Sequence, residues 1–357
     1  MNKIRVLIVD DSALVRQVLT EIISSDPALS VVGTASDPYI ARDKIKLLNP
    51  DVLTLDVEMP KMDGLTFLSN LMRLHPMPVI MVSSLTDKGA NETLNALALG
   101  AIDVVFKPKT DLNNTLQEYS EEIISKIKVA ARANIRAIEK DLRSFSNEEE
   151  TPVDTLISNN IDHAFVCSKK IIAIGASTGG TEAIKDVLVQ LPADMPGIVI
   201  TQHIPKYFSD AFAQRMNKLA KMTVREASDG EQILDGHVYV APGDQHLIIN
   251  GSPGHYICHL SNGPRVNRHK PSVDVLFRSI SECAGSNAIG IILTGMGDDG
   301  AKGIKEMHEV GAYTIAQDEK SSVVWGMPGS AIQLGGIDHV AKLKHISGEI
   351  LKLIADK

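Results

Sequence analysis

The chain alternates short apolar runs with longer segments of helical character, and few folds can accommodate that alternation. The first runs are residues 6–9, 31–35, 52–55, 79–82 and 104–106; after a break they resume at 171–174, 198–201, 238–240, 247–249, 289–293 and 313–316. Runs that stay apolar at successive positions need cover on both faces, which helices on either side of a parallel sheet provide. The expected class is therefore α/β, with doubly wound parallel sheets. A length of 357 residues, at about 150 per domain, predicts two such domains. Gly243 and Asp244 lie between two runs and predict a hairpin joining Val238 to Ile249.

Between the two sets, Ile124, Ile127, Ala131, Ile135, Ile138 and Leu142 recur three or four residues apart, predicting a long amphipathic helix that leaves the first domain. Residues 144–166 then lose periodicity and collect Ser, Asn and Glu, as a linker does. The expected organisation is a first domain over 1–123, a helical extension and linker over 124–167, and a second domain over 168–357.

Charge and cysteine content narrow the function. With 36 Lys and Arg against 44 Asp and Glu, the net charge of −8 has the wrong sign for a protein that tracks nucleic-acid backbones. Cys167, Cys258 and Cys283 form no Cys-x-x-Cys pair and read as buried thiols. The N-terminus lacks the apolar stretch of a signal peptide, and no later segment approaches the roughly 18 apolar residues of a membrane span. A cytoplasmic protein without membrane insertion is expected.

Ligands of parallel sheets collect beyond the carboxyl ends of the strands. In the first domain those positions hold Asp10 and Asp11, Asp56, Ser83 and Lys107. Each of the acids and the lysine alone reads as a loop charge in a solvated salt bridge. Together they form an oxygen-rich acidic cluster suited to Mg²⁺, in which Asp56 can attack a phosphorus atom while Lys107 and Ser83 steady the transferred oxygens. The segments "VDDS", "LDVEMPKMDG", "MVSS" and "VVFKP" resemble the receiver domain of two-component response regulators. That resemblance implies a flavodoxin-like fold, phosphorylation of Asp56 by a histidine kinase, and Mg²⁺ held by Asp10, Asp11, Asp56 and the backbone carbonyl of Glu58.

In the second domain Ser177 lies in Gly175-Ala176-Ser177-Thr178-Gly179, a G-x-S-x-G match directly after a strand. His203 and Asp299 follow two further strands. A nucleophile, a base and an acid at strand ends of one sheet follow the logic of a catalytic triad. The order Ser, His, Asp departs from that of α/β-hydrolases. A rival reading is a dinucleotide site, because Gly295-x-Gly297-x-x-Gly300 follows a strand and Asp318 and Glu319 follow the next. Asp298 and Asp299 argue against it, since they put negative charge in the loop that must cradle a pyrophosphate. A non-enzymatic or DNA-binding regulator is a further alternative, but no compact basic helix-turn-helix pattern supports it.

The segments "IGASTGG", "TQHIP", "HVYVAPGDQH", "RHKPSVDVLF" and "LTGMGDDGAKG" closely resemble the catalytic domain of chemotaxis protein-glutamate methylesterases. The resemblance implies a Rossmann-like α/β domain with Ser177, His203 and Asp299 as its triad and the Met296 amide in the oxyanion hole. It implies methyl-accepting chemotaxis receptors as substrates, deamidation of receptor glutamines by some members, and no cofactor for the ester hydrolysis. A chemotaxis histidine kinase is the implied phosphodonor, and a receiver that covers the triad until phosphorylated is the implied control.

Overall fold

The apolar runs become parallel strands in a computed structural model of the chain, which describes residues 3–83, 87–107, 115–135, 137 and 169–355. Two units are present, Met1–Glu139 and Lys140–Lys357. The first is built from β1 (Ile4–Val9), α1 (Ala13–Ser24), β2 (Leu29–Ala35), α2 (Pro38–Leu48), β3 (Val52–Asp56), α3 (Gly64–Leu74), β4 (Val79–Ser83), α4 (Asp87–Ala98), β5 (Asp103–Phe106) and α5 (Thr115–Ala130). Its strands run in the order β2-β1-β3-β4-β5, all parallel. Val6, Leu7, Ile8, Leu53, Leu55, Ile80 and Met81 are buried, as a sheet covered on both faces requires.

Local chemistry sets the helix starts. Ser12 accepts from the Val15 N–H at the head of α1, Asp37 caps α2 with Pro38 in its first turn, and Asp63 accepts from Thr66 at the head of α3. The long helix expected over 124–142 is interrupted after Ala130, and helical backbone is described again at Ile135 and Ala137. α5 ends at Ala130, where Arg132 N–H bonds to the Val129 carbonyl and Ala133 N–H to that of Ala130. Such i→i+3 bonds tighten and close a last turn. The apolar periodicity belongs to a helix packed by Ile123, Ile127 and Ala130, while Ile138, Leu142 and the expected linker lie outside the described residues.

The second unit comprises β6 (Ile171–Ala176), α6 (Gly180–Leu188), β7 (Ile198–Gln202), α7 (Lys206–Leu219), β8 (Thr223–Glu226), β9 (His237–Val240), β10 (His246–Ser252), β11 (His255–Ser261), α8 (Val273–Ala284), β12 (Ala288–Ile292), α9 (Ala301–Glu309), β13 (Tyr313–Gln317), α10 (Met327–Gln333), β14 (His339–Ala341) and α11 (Leu343–Ala355). Seven strands form one parallel sheet in the order β14-β13-β12-β6-β7-β9-β8. The order reverses at β6, whose neighbours are β7 and β12, and that switch point is where ligands of open parallel sheets bind.

The hairpin expected between Val238 and Ile249 is not formed. β9 lies inside the sheet, with Val238 paired to both Ile198 and Val224. The chain then leaves the sheet, and β10 pairs antiparallel with β11 through Pro253 and Gly254. Gly254 at φ 87 and Gly251 at φ 120 supply the turn backbone that Gly243 and Asp244 were expected to provide. Of the thiols, Cys258 is buried, Cys283 only half-buried, and Cys167 lies outside the described residues. Among the described residues no helix is long and apolar enough to cross a membrane.

Gly64 starts α3 where a Cβ would lie 2.0 Å from the Asp56 carbonyl oxygen. Backbone cannot yield there as a side chain does. Gly64→Ala is expected to cost about 1–3 kcal/mol, read as a lower urea midpoint by circular dichroism; wild-type stability would contradict this close approach.

Candidate active site and candidate metal centre

In the first unit the strand ends bring the acidic residues together. Asp10 follows β1, Asp56 ends β3, and both are buried, whereas Asp11 is exposed. Carboxylate oxygens of Asp10, Asp11 and Asp56 lie within 4.8 Å of one another. Lys107 Nζ stands 3.0 Å from Asp10 Oδ2 and 2.8 Å from Asp56 Oδ2. The Lys107 N–H donates to the carbonyl of buried Ser83 at 2.8 Å, which sets the hydroxyl and the lysine side by side on adjacent strands. Glu58 is exposed and its carboxylate is not part of the cluster; its backbone N–H donates to Asp56.

Burial pushes the Asp56 carboxyl up to about 6; Lys107 pulls down and Asp10 pushes up further. Desolvation opposes the Lys107 charge, but Asp56 and Asp10 outweigh it and raise its pKa. One lysine charge, shared between Asp10 and Asp56, cannot balance the three carboxylates of this cluster. The hard oxygen donors therefore fit a small divalent cation such as Mg²⁺.

In the second unit the site is built at the switch point. Gly179 at φ 75 and Gly180 turn the chain from β6 into α6, and a Cβ on Gly180 would lie 2.2 Å from Gln202 Oε1. The Ser177 carbonyl accepts from Gly180 N–H at 2.7 Å and from Gln202 Nε2 at 2.9 Å. Ser177 N–H donates to the Thr294 carbonyl at 3.0 Å. The nucleophile's backbone is thus pinned from both neighbouring strands, while the Ser177 side chain is partly exposed.

His203 follows β7 and presents Nε2 to Asp299 Oδ2 at 2.8 Å. Its Nδ1 is buried with no hydrogen-bond partner. The His269 ring stacks on it, with centroids 3.7 Å apart and planes 8° from parallel. Asp299 is buried at 1% exposure. Besides His203, it accepts from Asn267 Nδ2 at 2.8 Å, Ser272 Oγ at 2.8 Å, Val273 N–H at 2.7 Å and Asp274 N–H at 3.3 Å. The last two are the first amides of α8, so Asp299 also caps that helix and meets the positive end of its dipole. Burial alone pushes the Asp299 carboxyl up, but the bond and charge of His203, with Asn267 and Val273, hold it well below the usual carboxylate range. Asp298 is exposed, and its carbonyl accepts from the Ala301 N–H at the head of α9.

The supporting residues were not singled out by sequence reasoning. Buried His246 accepts the Ser272 N–H on Nδ1 at 3.1 Å and donates from Nε2 to the Pro264 carbonyl at 2.8 Å, fixing the loop that carries Ser272. Asn267 and Arg268 adopt left-handed backbone, at φ 50 and 69, to present the Asn267 amide. The one available signal was Ser272 ahead of Val273 and Asp274, a helix N-cap pattern; its hydroxyl is turned to Asp299 instead of its own helix.

Gly295 and Gly300 serve close packing, whereas Gly297 adopts left-handed backbone at φ 81. A Cβ on Gly295 would lie 2.2 Å from Met327 Sδ and 2.8 Å from Ser177 Cβ. Asp318, one of the two acidic residues of the dinucleotide reading, accepts from the N–H and hydroxyl of Ser321. Met296, next to Gly295, is half-buried on the same loop.

Comparison with known proteins agrees with this division. Residues 172–350 match the CheB methylesterase family, and residues 6–117 match the response regulator receiver domain. A protein-glutamate methylesterase/protein-glutamine glutaminase of Hydrogenovibrio crunogenus is 55% identical over 99% of this chain and 100% of its own. A protein of the same description from Geobacter metallireducens is 59% identical over 95% of this chain and 93% of its own. The solved Thermotoga maritima CheB methylesterase catalytic domain is 37% identical, covers 52% of this chain and 98% of its own, and superposes with a TM-score of 0.50.

The raised Asp56 pKa gives a signed test in metal-free buffer. A carboxyl lifted from an ordinary 3.8 to about 6 contributes stability below pH 4 that is lost as pH rises through 6. At pH 7.5, Asp56→Asn should raise unfolding stability by on the order of 1–3 kcal/mol, and the gain should vanish near pH 4. A destabilised variant at pH 7.5 would contradict this charge balance.

Proposed function

Because the chain belongs to the CheB methylesterase family and carries a receiver domain ahead of the catalytic domain, we propose that it is a phosphorylation-activated protein-glutamate methylesterase that demethylates chemoreceptor glutamates and deamidates receptor glutamines. The observation that supports the reading is the His203 Nε2–Asp299 Oδ2 bond at 2.8 Å, with His203 N–H donating to the Ala176 carbonyl at 3.2 Å next to Ser177 in the sequence.

The Ser177 oxygen attacks the carbonyl carbon of the glutamyl ester as His203 takes its proton. Asp299 occupies Nε2, so Nδ1 is the basic nitrogen. The oxyanion draws on backbone amides of the loop that contains Met296. Collapse of the tetrahedral intermediate breaks the ester C–O bond, and the His203 proton leaves with methanol, or with ammonia from a glutamine. Water then attacks the acyl-serine, His203 removes its proton and returns one to Ser177, and the glutamate carboxylate is released. The ester reaction draws on no cofactor in this scheme. Throughout, Asp299 holds the imidazole's tautomer and stabilises the imidazolium.

In the receiver, Asp56 is the phosphoacceptor, its phosphoryl group supplied by a histidine kinase. Asp10, Asp11 and Asp56, with the Glu58 carbonyl, would hold Mg²⁺, which neutralises the phosphoryl oxygens. Lys107 and Ser83 contact the same group. Phosphorylation then raises esterase activity, provided that resting and phosphorylated receivers act differently on the catalytic unit; tenfold activation needs about 1.4 kcal/mol of such difference.

Ser177→Ala should lower methanol release from methylated receptor membranes by at least about 10³-fold while remaining folded; near wild-type release would sink the assignment. Asp299→Asn should be severe and Asp298→Asn mild, and the reverse order would show that the wrong aspartate had been chosen. For control, a fragment starting near residue 150 should outpace the unphosphorylated full chain and ignore phosphodonors, whereas Asp56→Asn should stay slow and ignore them. A fragment slower than the resting full chain would exclude simple inhibition by the receiver.

A further inference from the structure

The chain has a single tryptophan, and it stands beside the 294–300 loop that packs on Ser177, with 38% of its surface exposed. Trp325 pairs with Gly295 in a parallel bridge. On either side of it, Gly295 N–H donates to the Val324 carbonyl at 3.0 Å, and the Gly295 carbonyl accepts from Gly326 and Met327 at 3.0 and 2.9 Å. Gly295 in turn abuts Ser177, within 2.8 Å of its Cβ for any side chain placed there. The backbone of Trp325 is therefore held one β-bridge away from the glycine that abuts Ser177.

Its ring is seated as well as placed. Cε3, Cδ2 and Cζ3 lie 3.1–3.3 Å from where a Cβ on Gly329 would stand, so the ring rests on α10. The exposed remainder of a held aromatic side chain gains free energy when an apolar partner covers it, at little entropic cost. A glutamyl ester must reach Ser177 with its terminal carbonyl, so its methylene stem and the segment bearing it cross the rim of the site. Esterification has removed the carboxylate charge, and an apolar rim favours that neutral ester over the charged product.

We propose that Trp325 contacts substrate and determines specificity, packing its exposed surface on the aliphatic stem of the esterified glutamate and on apolar side chains flanking it. The inference rests on the esterase reading above. Trp325→Ala should raise KM for methylated receptor membranes about tenfold with kcat within about twofold, and Trp325→Phe should recover most of the loss. As the only indole, Trp325 should also shift its emission to the blue when the Ser177→Ala protein is titrated with a methylated receptor fragment. An unchanged KM, a loss carried by kcat with Phe no better than Ala, or an unmoved emission would overturn the proposal. No methanol release by the wild-type protein would overturn the esterase reading, and this inference with it.

Discussion

An ionised carboxylate with 1% of its surface exposed costs several kcal/mol unless donors replace the water it has lost. Asp299 meets that condition with side chains of His203, Asn267 and Ser272 and with the leading amides of α8. The rest of the catalytic unit is arranged around this one group. Helix α8 has no cap from its own Ser272 side chain and takes Asp299 in its place. The 262–272 loop is held by His246 so that Ser272 and Asn267 can reach the carboxylate. Gly175 leaves the space that Val273 fills, since a Cβ there would lie 2.2 Å from Val273 Cγ1. Removing the carboxylate would therefore disturb a helix start and a loop as well as an imidazole.

Each unit has a buried aspartate beyond or at the carboxyl end of a parallel strand, and the two have opposite electrostatics. Asp56 has little backbone donation, a neighbouring Asp10 and a single lysine, so burial dominates and its carboxyl rises to about 6. Asp299 has dense donation and a helix N-terminus, so its charge is favoured. The first environment suits a carboxylate that must accept a cation and a phosphoryl group, because both relieve the repulsion there. The second suits a carboxylate that must stay charged and unreactive while it orients a base.

Much of this was legible from strand-end chemistry. Apolar runs locate the five strands of the first sheet and the five central strands of the second, while its short edge strands β8 and β14 carry no such run; the polar residues that follow the runs are those the sheets bring together. The failures have physical causes. Val238 to Val240 reads equally as a hairpin arm or a buried parallel strand, and only its pairing with Val224 and Ile198 decides. The periodicity past Ala130 suggested a longer helix, but closure by local i→i+3 bonds is not encoded in apolar spacing. Asn267, Ser272 and His269 escaped notice because each acts through tertiary contact with Asp299 or His203, from a loop distant in sequence, and His246 because it acts one step further out, through Ser272 and Pro264. Trp325 escaped for a related reason: its proximity to Ser177 arises from one β-bridge between distant loops.

The central claim is that Asp299 fixes the orientation and tautomer of His203, leaving Nδ1 as the nitrogen that serves Ser177. Proton-nitrogen correlation spectra of histidine-labelled protein, with the His203 signals identified by their loss in His203→Gln, read this directly. At neutral pH the account predicts a proton on His203 Nε2, with the downfield shift of a strong bond to a carboxylate, and a bare Nδ1. A proton on Nδ1 with Nε2 bare would contradict it.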